Sequence, residues 1–117
     1  MYRHTRLHHS IFAVLINQNK IKMNIADIVN QKETVIIDVR EPFEYSMRNI
    51  KGAINIPLGE IPNQVEKLRK MNAPIVLLCA SGNRSGQAVA FLQQKGFDQV
   101  YNGGGLADML MMTGQFV

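Results

Sequence analysis

From residue 24 onward the apolar positions switch repeatedly between helical and strand spacing. Over residues 24–30, Ile25, Ile28 and Val29 fall three or four apart and mark one face of a short helix. Residues 34–39 form a β-branched run, the pattern of a buried strand. Pro42 stands where a helix can begin, with residues 43–47 behind it. Residues 52–57 read as a short strand closed by Pro57, and residues 62–71 as an amphipathic helix with Val65, Leu68 and Met71 inward. After Pro74 comes an apolar strand, residues 75–78. A helix over 85–95 follows, with Ala88, Phe91 and Leu92 inward, Lys95 in its last turn and Gly96 at its end. A last short strand over 99–101 leads into Gly103, Gly104 and Gly105. The final helix covers 106–112, where Met109, Met111 and Met112 are expected as core filler. No repeat or low-complexity tract interrupts this order. Alternating strands and helices predict an α/β fold, a small parallel β-sheet flanked by helices on both faces.

Composition narrows the picture. At 117 residues, 46% hydrophobic and 19% charged, the chain has the size of one domain. No apolar run approaches the roughly 18 residues of a membrane span. The net charge of +4 is unevenly placed. Residues 1–22 hold Arg3, Arg6, Lys20 and Lys22 and no acid, whereas the rest of the chain is neutral. A basic balance confined to a leader gives no support for a nucleic-acid partner. The apolar stretch of that leader, residues 11–16, is shorter than a secretory signal core and lacks a small-residue cleavage site. Residues 1–22 are therefore expected to be an upstream extension, and residues 23–117 the folded domain of a cytoplasmic protein. His4, His8 and His9 have helical spacing for a metal pair, but they read more simply as part of a tail. The single cysteine rules out an intramolecular disulfide and a cysteine-rich metal site.

That cysteine occupies a chemically loaded position. Cys79 ends a predicted strand, and Ala80, Ser81, Gly82, Asn83, Arg84 and Ser85 lead from it into a helix. Parallel sheets place their sites at the carboxyl ends of strands. A loop curling through these residues can aim successive backbone N–H groups at its centre, with Gly82 supplying backbone freedom. The next helix adds its positive end. Such a nest favours an anion, so a Cys79 thiolate is expected to have a depressed pKa and to be nucleophilic. Arg84 adds a positive charge able to hold an anionic substrate.

Over residues 23–117 the chain resembles the single-domain rhodaneses, a family of sulfurtransferases. The resemblance rests on residues 37–45 (IDVREPFEY), 50–57 (IKGAINIP), the loop from Cys79 through Ser85, and Gly104-Gly105-Leu106 with Gly114 near the end. It implies a small parallel sheet with flanking helices. It also implies that Cys79 is the nucleophile that carries a persulfide, and that the loop from Ala80 to Arg84 lines the pocket. Asp38 and Arg40 match a strand-end motif near the site, where ion pairing and loop capping, with Glu44 as a further partner, are the simplest roles. Glu41 and Glu44 read equally well as solvated charges. Two departures stand out. Asn49 occupies the place of a histidine common among relatives, and a methionine (Met109) that of a tryptophan in the last helix.

The resemblance implies a two-step shuttle that needs neither metal nor organic cofactor. A small-molecule sulfur donor such as thiosulfate charges Cys79, and a thiophilic acceptor (cyanide, a thiol or a protein cysteine) discharges it. With no second cysteine in the chain, the acceptor must be external. Two alternatives remain. A rhodanese-fold phosphatase or arsenate reductase would need arginine at the sixth position after the cysteine, but here that position is Ser85 and the arginine comes one residue early. A non-catalytic interaction module would be expected to lack the cysteine.

Overall fold

The computed structural model describes residues 24–115. The basic leader and its histidines lie outside them. Four strands, β1 (Val35–Asp38), β2 (Ile54–Asn55), β3 (Ile75–Cys79) and β4 (Val100–Gly105), form one parallel sheet in the order β2-β1-β3-β4. Five α-helices accompany them among the described residues: α1 (Ile25–Val29), α2 (Pro42–Met47), α3 (Val65–Met71), α4 (Asn83–Gln94) and α5 (Leu106–Met112). A parallel sheet with helices on both faces is thus the architecture, as the alternating pattern predicts.

The central strand β3 is buried along its whole length. Its side chains alternate between two cores, because successive residues of a strand point to opposite faces. Ile75, Leu77 and Cys79 join Ile37, Val39, Leu68, Ala88 and Leu92 on the face covered by α3 and α4. Val76 and Leu78 join Ile28, Val29, Ile50, Met109 and Leu110 on the face covered by α1 and α5. The pleat therefore commits Cys79 to the α4 side, where the chain turns next.

Several elements differ from their sequence pattern. The expected strand over 52–57 forms ladder pairs only at Ile54 and Asn55. Gly52 turns at φ 91° before it, and Pro57 has no N–H to continue it. The Asn55 side chain compensates, donating to the carbonyls of Asp38 and Arg40, both at 2.9 Å. The expected helix over 62–71 is instead a 3-10 segment, Leu58–Gln64, followed by α3. Three residues per turn align Leu58 with Ile61, and Ile61 is fully buried. Of the three methionines of α5, Met109 is buried, but Met111 is exposed and packs in neither core.

The last strand is longer than expected and runs through its glycines. Its register against β3 slips between Leu77, opposite Asn102, and Leu78, opposite Gly104, so Gly103 is an extra residue in the ladder. A Cβ on Gly103 would lie 2.7 Å from Met109 Sδ and 2.8 Å from a Val76 methyl. Glycine is required there by close approach, a reading that the three-glycine run does not reveal by itself.

Candidate active site

Cys79 is the last residue of β3, and α4 starts four residues later. The link turns on Gly82, which takes φ 99° at the N-cap of α4. This left-handed conformation folds the loop back over the strand end. A Cβ there would be strained and would meet Gly104 Cα at 3.3 Å. The turn brings the N–H of Gly82 to 3.0 Å and that of Ser85 to 3.4 Å from Cys79 Sγ. The Ser85 hydroxyl lies 3.4 Å from the same sulfur. Cys79 and Ser85 are buried, whereas Ala80, Ser81 and Asn83 lie on the exposed rim.

These contacts set the thiol's acidity. Burial pushes the Cys79 thiol up, but the Ser85 hydroxyl and the backbone N–H groups of Ser85, Ser81 and Gly82 outweigh it and bring the pKa down to about 7. The sulfur is therefore an anionic hydrogen-bond acceptor at the N-terminal mouth of a 12-residue helix. The Ser85 hydroxyl has a second and closer partner, the Asn102 side-chain oxygen Oδ1 at 2.7 Å. One hydroxyl proton cannot serve both acceptors at once. Distance assigns it mainly to Asn102, which leaves the two backbone N–H groups as the permanent donors to sulfur.

Asn102 is a residue that the sequence reading missed. Its Nδ2 donates to the Gly82 carbonyl at 2.9 Å, and its Oδ1 accepts from the Gly104 N–H at 2.9 Å as well as from Ser85. It thus ties the loop to the bulged end of β4. Its place at a strand end just before three glycines was the available signal, but only the register slip shows that it faces the loop.

Asp38 and Arg40 form a buried ion pair. Arg40 Nε donates to both Asp38 oxygens at 3.0 Å, and Nη2 donates to Oδ2 at 2.7 Å. Both residues are nearly inaccessible to solvent. The guanidinium also donates to the carbonyls of Arg48 at 2.6 Å and Glu44 at 3.3 Å, so it holds the middle and the C-terminal end of α2. This is the ion-pairing and loop-holding arrangement that their sequence position suggests. The Glu44 carboxylate, however, does not join that pair.

Glu44 instead grips Arg84 across 40 residues of sequence. Arg84 Nη1 and Nη2 donate to Glu44 Oε1 and Oε2 at 2.8 and 3.0 Å, a bidentate fork. Hydrogen bonding from Arg84, helped by the Glu41 N–H, holds the Glu44 carboxyl down at about 2. Arg84 is expected from sequence as a positive charge able to hold an anionic substrate, and in the structure both of its terminal nitrogens bond Glu44. The sequence reading also left Glu44 open to a solvated role, which this contact replaces. Glu41 is exposed, as a surface charge would be.

Beside the loop lies an open groove of about 590 Å³ lined by Ser81, Gly82, Asn102, Asp108, Ile25 and Met111, among others. No cluster of metal-ligating side chains occurs among the described residues. No helix among them is long and apolar enough to cross a membrane.

Comparison with known proteins gives a consistent result. The family whose model matches is the rhodanese-like domain, over residues 24–108. A thiosulfate sulfurtransferase, PspE, of Escherichia coli (strain K12) is 40% identical over 76 residues, covering 64% of this chain and 73% of that protein. A tRNA uridine(34) hydroxylase of Pelagibacter ubique (strain HTCC1062) is 38% identical over 77 residues, covering 63% of this chain but only 25% of the hydroxylase. Among solved structures, a rhodanese with anions from E. coli superposes with a TM-score of 0.60 at 37% identity, covering 64% of this chain and 89% of that one.

Proposed function

Starting from the fact that the chain belongs to the rhodanese-like domain family, we propose that it is a sulfurtransferase in which Cys79 carries the transferred sulfur as a persulfide. The observation that carries this reading is the geometry around Cys79 Sγ, where two backbone N–H groups and a hydroxyl converge on one buried sulfur.

In the first step the Cys79 thiolate attacks the outer sulfur of thiosulfate. A new S–S bond forms, the bond from outer sulfur to the sulfonate breaks with its electron pair, and sulfite leaves. The product is the Cys79 persulfide, whose terminal sulfur bears the negative charge. The rim amides of Ala80 to Ser85 suit that charge, because donors fixed by the fold need no reorganisation as it develops. In the second step an external nucleophile (cyanide in an assay, a thiol or protein cysteine otherwise) takes the terminal sulfur and the Cys79 thiolate leaves. Cyanide yields thiocyanate. Dividing the transfer in this way makes each step a simple displacement. No step calls for a metal or an organic cofactor.

The test is intact mass after incubation with thiosulfate. A single added sulfur atom, removed by cyanide with release of thiocyanate and absent in Cys79→Ser, is expected. Absence of the adduct, or full turnover by Cys79→Ser, refutes the reading. Cys79-dependent hydrolysis of an aryl phosphate would establish the phosphatase alternative instead.

A further inference from the structure

The loop that cradles Cys79 has one ionisable side chain, Arg84. Arg84 immediately precedes Ser85, whose N–H lies 3.4 Å from Cys79 Sγ, so it stands beside the position an arriving donor must take. Yet its two terminal nitrogens are already held by the Glu44 carboxylate at 2.8 and 3.0 Å. The neighbouring Arg40 is likewise matched by Asp38. Both arginines beside the loop are therefore matched by a carboxylate, and the groove adds the Asp108 carboxylate. An anionic donor meets backbone N–H groups and the end of α4, but no uncompensated cation from the loop itself.

Resting on the sulfur-carrier reading, we propose that Glu44 is a specificity-determining residue that masks Arg84 and thereby disfavours dianionic donors relative to donors with a single negative charge. A doubly charged donor gains the most from an open cation and loses the most when it is neutralised. The donor class expected to suit this site is a persulfide or thiosulfonate monoanion rather than thiosulfate. Glu44 positions Arg84 and touches no reacting atom.

The experiment compares thiosulfate with methanethiosulfonate. Both present a terminal sulfur to the thiolate, and the second releases a sulfinate in place of sulfite, so they differ by one charge at the same chemistry. Glu44→Gln removes the masking charge and keeps an acceptor oxygen for the Glu41 N–H, which now bonds Glu44 Oε1 at 2.9 Å. With cyanide as acceptor, the ratio of kcat/KM for thiosulfate to that for methanethiosulfonate should rise about fivefold, through KM for thiosulfate, as expected for about 1 kcal/mol from a partly exposed charge. A change in thiolate fraction affects both donors equally and cancels in the ratio. In an Arg84→Gln background the gain should vanish, which a merely structural role for Glu44 does not predict. An unchanged or lower ratio overturns the proposal. Should the variant not fold, the wild-type protein still decides. KM for both donors should change little with ionic strength, and a marked rise for thiosulfate would show Arg84 unmasked and refute the masking. Failure of the sulfur-carrier reading would look different, since wild-type protein would then take sulfur from neither donor.

Discussion

Replacing Ser85 by alanine probes how the fold lowers the pKa of the Cys79 thiol. The hydroxyl lies 3.4 Å from Sγ but 2.7 Å from Asn102 Oδ1, so it contributes to the thiolate only when its proton turns away from Asn102. The N–H groups of Gly82 and Ser85 belong to the backbone and survive the substitution. The thiol pKa should therefore rise from about 7 but stop short of its ordinary 9.0. A shared, long hydrogen bond to a charged acceptor is worth at most about 1.4 kcal/mol, or roughly one pKa unit. With a pKa of about 7, half of Cys79 is thiolate at neutral pH. One unit upward leaves roughly a tenth, so the rate of sulfur uptake at pH 7 should fall about fivefold and recover above pH 9. The assay is the pH profile of persulfide formation from thiosulfate, with thiolate absorbance as an independent titration. A profile that does not move would show that the hydroxyl plays no part. A full return to 9 would show that the backbone N–H groups do not stabilise the anion, and would refute the cradle argument.

Three further outcomes follow from other contacts. Asp38→Asn leaves the Arg40 guanidinium buried against an uncharged amide, and chemical denaturation should show a loss of about 3–5 kcal/mol; a loss below about 1 kcal/mol would contradict the buried-pair reading. Gly105→Ala drives a Cβ into the Ala80 carbonyl oxygen, at the floor of the loop. It should lower stability by about 1–3 kcal/mol and slow sulfur uptake as well, whereas Gly59→Ala, with open space around its Cβ position, should do neither. The depressed Glu44 pKa predicts a stability contribution that is complete above pH 4.5 and lost as pH falls toward about 2. The drop in Tm over that range should be smaller in Glu44→Gln, and an identical acid profile for the two proteins would refute the pairing.

The sequence by itself determined the architecture and the place of Cys79 at a strand end before a helix. Apolar runs at strand spacing, helical faces between them, and the run from Cys79 to a helix start are local signals, because each depends on residues only a few positions apart. The Asp38–Arg40 pair was legible for the same reason, since a two-residue separation at a strand end leaves few other partners. What the local pattern misjudged was winding and ladder length. The 3-10 turn that buries Ile61 and the two-residue β2 are settled by what lies against them. The strand through Gly103 exists because Met109 and Val76 leave no room for a side chain. Tertiary structure alone decided the electrostatics of the site. Glu44 and Arg84 are 40 residues apart, and Ser85 and Asn102 are 17 apart, so no periodicity could pair them. Packing α2 and α4 beside one strand end made the Arg84 cation half of an ion pair. The register slip in β4 turned an asparagine with no evident role into the clamp on the Cys79 loop.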